Sequence, residues 1–237
     1  MTVSHFFDPN DITPESVPPV DYHMHTDYTD GRHSAEDMHA AAVDCGLKAI
    51  LFSEHARKTS GDWFGEFAAR VRGLPQENCR TFVGTECKAD GFGGEIDTAP
   101  EVACHCDLIM VSVHRFPDNK GGLREFRDVP ADEALDIEYR LSLAALENPQ
   151  VDILGHPFGM SLQRYRNEPG EARWRAVIEK AAKFDVAVDI SGRYHPYPWQ
   201  LIEWCREAGA KVTLGSDAHH VNEVGLITRI LEGREKK

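Results

Sequence analysis

The sequence lacks any run of about 18 apolar residues, the least that a membrane-spanning helix needs, although 41% of its 237 residues are apolar. No helical membrane anchor is expected, and enough apolar mass is left for a large core. The N-terminal stretch MTVSHFFDPNDITPESVPP has neither a basic start nor an apolar core, so no secretory signal is expected and a cytoplasmic protein is. Basic residues are the minority, 26 against 39 acidic, for a formal charge of −13. Nucleic acid is therefore an unlikely partner, because its phosphate backbone repels such a chain. A small phosphorylated metabolite is less constrained, since the long-range field is screened over about 8 Å and local arginines can outweigh it.

Cysteine offers no framework either. Cys45, Cys79, Cys87, Cys104, Cys106 and Cys205 form no pair of CxxC motifs, so no structural zinc site is expected. There is no GxSxG elbow and no P-loop, which removes the usual serine nucleophile and the usual nucleotide cradle. No repeat or low-complexity tract divides the chain. The sequence is read as an N-terminal extension over residues 1–19 and one barrel domain over 20–237; oligomeric state is not legible.

What is present is an alternation of short apolar runs with amphipathic segments. The runs at 20–22, 49–52, 81–83, 108–113, 151–154, 186–190 and 212–214 predict seven strands. A helix is expected to open at Ser34, whose hydroxyl can cap the next turn, and to stop at Gly46. Further helices are expected over 63–72, 131–147, 171–183, 199–208 and 221–231. The economical architecture is α/β, a seven-stranded parallel (βα)7 barrel like a TIM barrel.

The strand ends carry the chemistry. They read His23-Met24-His25, Ser53-Glu54-His55, Thr85-Glu86, Val113-His114, Gly155-His156-Pro157, Ser191-Gly192-Arg193 and Ser216-Asp217-Ala218-His219. Loops at the C-terminal face of a parallel barrel converge, so these residues become neighbours. The two-residue spacing of His23 and His25 sends both rings to one strand face. Asp217 and His219 repeat that spacing with an oxygen and a nitrogen, a mixture suited to Zn, Mn or Fe rather than Ca or Mg.

These motifs resemble the PHP (polymerase and histidinol phosphatase) superfamily of metal-dependent phosphoesterases. The likeness rests on the segment from His23 to Gly31, on Ser53-Glu54-His55, on Gly155-His156-Pro157 and on the segment from Gly215 to His219. The resemblance implies a distorted barrel holding two or three divalent transition metals. His23, His25, Glu86 and Asp217 would hold the first; Glu86, His114 and His156 the second; Asp30, His55 and His219 the third. It implies catalysis through Glu86, His114 and Asp217, with metal-activated hydroxide cleaving a phosphomonoester. The family commonly has aspartate where this chain has Glu54, here read as lying behind the ligands.

Phosphate needs planar donors, and Arg193 stands at the strand end without a metal ligand. Arg57 and Arg115 follow ligand histidines closely, and His195 lies near the mouth. All four are expected to bind substrate. The segment from Val188 to His219 is similar to histidinol-phosphate phosphatases, which makes L-histidinol phosphate the specific expectation, its amine met by Glu54 or Asp90. The alternatives are a PHP phosphodiesterase or nucleotide phosphatase, and a non-catalytic metal-binding PHP module. An amidohydrolase also begins with HxH in a barrel, but no lysine occupies a strand end to bridge its metals.

Overall fold

The computed structural model describes residues 5–118 and 122–236; the first four residues of the N-terminal extension lie outside them. Seven parallel strands form one sheet in chain order: β1 (Val20–Met24), β2 (Ala49–Glu54), β3 (Arg80–Lys88), β4 (Leu108–Ser112), β5 (Ile153–Leu154), β6 (Ala187–Ser191) and β7 (Val212–Gly215). The sheet curls back on itself. Met24 bridges Ala218 in parallel just past β7, with His25 donating to the Ala218 carbonyl at 2.9 Å and Ala218 donating to His23 at 3.1 Å. The result is a nearly closed barrel, as the seven apolar runs predict. Among the described residues no helix is long and apolar enough to cross a membrane.

Among the described residues six α-helices lie between the strands, α1 (Ala35–Asp44), α2 (Phe64–Arg72), α3 (Pro100–Ala103), α4 (Ala131–Ala145), α5 (Glu171–Phe184) and α6 (Pro198–Ala208), and α7 (Leu226–Leu231) follows the last strand. Ser34 caps α1 by accepting from the Asp37 amide at 3.1 Å, and Gly46 follows its end in the left-handed region that glycine tolerates best. The outward residues Ile50, Phe52 and Val83 pack with Met38, Phe64, Phe67 and Val71 of α1 and α2. A second apolar cluster, including Leu51, Met110, Ile153, Val188 and Leu214, joins the strands to α4, α5 and α6.

The described residues before β1 pack against the barrel. Phe7 pairs antiparallel with Val212 and stacks on Tyr22, Ile12 is fully buried, and Arg206 donates to the Pro9 carbonyl at 2.9 Å.

Three expectations change. β3 runs on to Lys88, so Glu86 stands inside the ladder opposite Met110 rather than beyond its end. β5 keeps only two paired residues, because His156 and Phe158 take left-handed conformations immediately after it. The helix expected over 221–231 is broken: Val221–Glu223 is one 3-10 turn, and Gly225 at φ 73° separates it from α7.

Candidate metal centre

The strand ends meet around Glu86. Its side chain is 1% exposed, and its two oxygens face different histidines. Oε1 lies 3.3 Å from His23 Nε2, 3.2 Å from His114 Nε2 and 2.8 Å from His156 Nε2. Oε2 lies 3.4 Å from His25 Nε2 and 3.2 Å from His55 Nδ1. Asp217 Oδ1 stands 3.2 Å from His25 Nε2 and 3.5 Å from His23 Nε2. Asp30 approaches His219 Nε2 at 3.3 Å and His55 Nε2 at 3.5 Å.

These contacts fall into three groups whose donor atoms lie within 4.8 Å of one another: His23, His25, Glu86 and Asp217; His25, Asp30, His55 and His219; and His55, Glu86 and His114. His156 joins through Glu86 and through His114, whose Nε2 is 3.2 Å from its own. All nine expected ligands are thus brought together at one end of the barrel. The grouping differs from the expected sets in placing His55 beside Glu86 as well as beside Asp30.

The donor set fits metal. His23 Nε2, both nitrogens of His25, His55 Nδ1 and Glu86 Oε2 are buried without a hydrogen-bond partner. Buried polar atoms left unpaired are costly, and so many in one place call for a cation. Ligands at about 2.05 Å from a tetrahedral ion stand about 3.3 Å apart, close to the spacing of the nitrogens and carboxylate oxygens here.

Electrostatics suit that use at His25 and Glu86, whereas His219 would first have to give up a proton. Burial, and then the neighbouring His55, push His25 down to about 4, so its ring is a neutral donor. Burial opposes ionisation of Glu86, but His114, His23 and His55 hold its carboxyl well below the ordinary range. At His219 burial disfavours charge, yet the hydrogen bond to Asp30 and the Asp217 carboxylate raise it to about 9.

Local backbone features aim these groups. His156 at φ 24° and Asp217 at φ 51° are in conformations that non-glycine residues rarely adopt. The His156 amide donates to Asp189 Oδ2 at 3.1 Å, and Arg193 Nη1 donates to the Asp217 carbonyl at 2.9 Å. Gly215 leaves the room that the buried pair needs: a Cβ there would sit 2.4 Å from Asp189 Oδ1 and 2.6 Å from His23 Cβ.

Glu54 lies behind the cluster. It is fully buried and accepts from the Thr26 amide at 2.6 Å and from the Thr29 hydroxyl, tying down the loop that carries Asp30. Burial raises it to about 7 against those hydrogen bonds. Against the expectation that one of them meets a substrate amine, neither Glu54 nor Asp90 lines the cavity into which the centre opens, and Asp90 is paired with Lys58 at 2.7 Å.

The centre opens into a cavity of about 690 Å³. Arg193, Arg57 and Arg115 line it, as does Tyr194, whose ring lies 4.3 Å from that of His156. His195 does not. The expectation that it touches substrate is corrected: the ring is fully buried, Nδ1 accepts from the Ser191 amide at 2.9 Å, and Nε2 lies 3.1 Å from the Pro157 carbonyl. It ties the loop carrying His156 to the end of β6.

Several residues escaped the sequence reading. Asp189, fully buried, places Oδ2 3.0 Å from His23 Nδ1. Its signal is a carboxylate in the middle of an apolar strand. Lys88 ends β3, so contrary to expectation a lysine does occupy a strand end; it stands two residues beyond Glu86, strand periodicity brings it to the same cavity, and Asp97 pairs with it at 2.9 Å. Tyr194 and Arg164 sit in irregular segments and carry no comparable signal.

Comparison with known proteins agrees with this geometry. The family described as PHP domain matches residues 21–191. A protein of Thermotoga maritima named "Probable histidinol-phosphatase" is 24% identical over 218 residues, covering 87% of this chain and 86% of that protein. One of Caldicellulosiruptor saccharolyticus named "Probable phosphatase" is 22% identical over 215 residues, covering 86% and 82%. The crystal structure of histidinol phosphate phosphatase from Lactococcus lactis, complexed with zinc, L-histidinol and phosphate, shares the fold with a TM-score of 0.66 at 19% identity, covering 92% of this chain and 94% of that one. The chain belongs to the PHP domain family of metal-dependent phosphoesterases.

Proposed function

We propose that this phosphoesterase hydrolyses a small phosphomonoester to an alcohol and inorganic phosphate. The observation that carries the reading is Glu86, a buried carboxylate whose two oxygens face five histidine rings at the floor of an open cavity. A carboxylate in that position can bridge two ions.

His23, His25, Glu86 and Asp217 would hold one divalent transition metal; Glu86, His114 and His156 a second; and Asp30, His55 and His219 a third. Such ions, Zn, Mn or Fe by the nature of the donors, lower the pKa of water and stabilise charge on attacking and leaving oxygens. Asp189 would fix the tautomer of His23, leaving Nε2 free to ligate. Arg193 and Arg57 would orient the phosphoryl group with planar donors. Among the described residues lining the cavity there is no serine or cysteine, which favours direct attack by water over a covalent enzyme intermediate. Water adds to phosphorus, the ester P–O bond breaks, and the alcohol departs with a proton.

L-histidinol phosphate is the candidate suggested by the relatives' names, and it heads the test panel. Metal-loaded protein is assayed for kcat/KM on histidinol phosphate, sugar phosphates, nucleoside monophosphates, a bis-aryl phosphodiester and single-stranded DNA. A phosphomonoester should lead, and Glu86→Gln should lose several orders of magnitude while the barrel stays folded. Preference for the diester or for DNA would overturn the phosphomonoester reading.

A further inference from the structure

The cavity wall is cationic in a chain of net charge −13. Arg57, Lys88, Arg115, Arg124, Arg164 and Arg193 all line it, six of the chain's 26 basic residues. Most are committed. Lys88 pairs with Asp97 at 2.9 Å, with Arg57 3.9 Å from the same carboxylate. Arg124 is held by Glu133 and by the Asp128 carbonyl, and Arg193 by the Asp217 carbonyl with Glu223 3.6 Å away.

Arg115 and Arg164 are different. Both are exposed, and among the described residues no carboxylate lies within ion-pair distance of either. Each guanidinium instead stands over the ring of Phe126, at 4.9 Å for Arg115 and 4.2 Å for Arg164. Stacking orients a guanidinium while leaving its N–H edge free to donate, and it does not neutralise the charge. Phe126 is itself held, packed edge-on to Phe116, with its carbonyl accepting from the Tyr165 hydroxyl at 3.0 Å. Two chain segments thus present two oriented, unpaired cations from one aromatic platform. Arg115 follows the ligand His114, and Arg164 comes from the turn Ser161–Tyr165.

The three other carboxylates of the cavity, Asp30, Glu86 and Asp217, belong to the metal groups, so Glu125 alone opposes these cations. We infer that Arg115, Arg164 and Phe126 form a subsite for a second anionic group of the substrate, a carboxylate or a further phosphate on the part that leaves as alcohol. This rests on the phosphoesterase reading above and narrows it. An ester bearing an ammonium group, L-histidinol phosphate included, should therefore bind here more weakly than one bearing a second anion.

The test is calorimetric binding, to metal-loaded protein, of benzylphosphonate and its ring-substituted derivatives bearing a carboxylate or a second phosphonate at the meta or para position. None of these is hydrolysed. At least one anionic derivative should bind about tenfold or more tightly than the parent, the scale of a charge-assisted pair, and the tighter arm names the source of the anion. Arg164→Gln and, separately, Arg115→Gln should bring that ratio close to one. Equal binding of parent and derivatives by the native protein, or a preference that both variants retain, would overturn the subsite. Turnover of p-nitrophenyl phosphate is measured alongside. Turnover without anion preference removes the subsite alone, whereas no turnover of any phosphomonoester removes the phosphoesterase reading.

Discussion

Asp189 Oδ2 lies 3.0 Å from His23 Nδ1, and the same oxygen accepts the backbone N–H of His156 at 3.1 Å. One buried carboxylate on β6 therefore orients a candidate ligand from β1 and the loop that carries another. A carboxylate behind a ligating imidazole fixes its tautomer and raises its basicity, and losing it typically costs about 10- to 100-fold in metal affinity or activity. Asp189→Asn should weaken metal binding by that amount with the circular dichroism of the barrel unchanged. A competition titration with a chelating dye measures it, and an affinity equal to that of the native protein would mean His23 is oriented by other means.

Arg193 has two tasks in the structure, which shapes what its removal should do. It lines the cavity, and it holds the carbonyl of Asp217, a residue in a left-handed conformation. Arg193→Ala should lower kcat/KM by about tenfold to hundredfold, as expected when one charge-assisted hydrogen bond is lost. A smaller fall in metal affinity should accompany it. Unchanged kinetics on every accepted ester would remove Arg193 from the phosphate site.

Glu138 on α4 gives the stability a pH dependence. Its buried carboxylate accepts from the Met160 amide at 3.0 Å and the Ser161 amide at 2.8 Å, yet burial outweighs these and pushes it up from 4.5 to about 7. An acid whose pKa rises on folding keeps its proton longer in the folded chain, so stability falls as pH climbs from about 4.5 to about 7. The contribution is roughly 3.5 kcal/mol at most, at about 1.4 kcal/mol per pH unit. Urea unfolding of native protein and Glu138→Gln at pH 5 and pH 7 should show a steeper fall for the native chain. Equal slopes would contradict this account of Glu138.

The sequence revealed the barrel and the convergence of its histidines because both depend on local pattern. Short apolar runs mark strands, and a ligand placed just past such a run faces the mouth whatever the intervening loops do. Glu86 was legible for its residue type but not for its place inside β3, since the ladder to β4 that extends the strand is a long-range pairing. Asp189 is not legible because a carboxylate inside an apolar run keeps the strand pattern, and only the fold shows the buried partners it requires. His195 looked like a mouth residue by its position two beyond Arg193, but the chain turns after Ser191 and folds its ring inward onto the backbone. Whether Arg115 and Arg164 share a platform could not be read at all, because a loop between strands and an irregular turn meet only through Phe126.

The central claim is that the strand ends form a multinuclear metal centre, and elemental analysis tests it most directly. Protein purified without chelator, supplied with Zn or Mn and freed of excess ion, should carry two or three metals per chain, matching the groups of donors around Glu86. Less than one metal per chain under those conditions would contradict it.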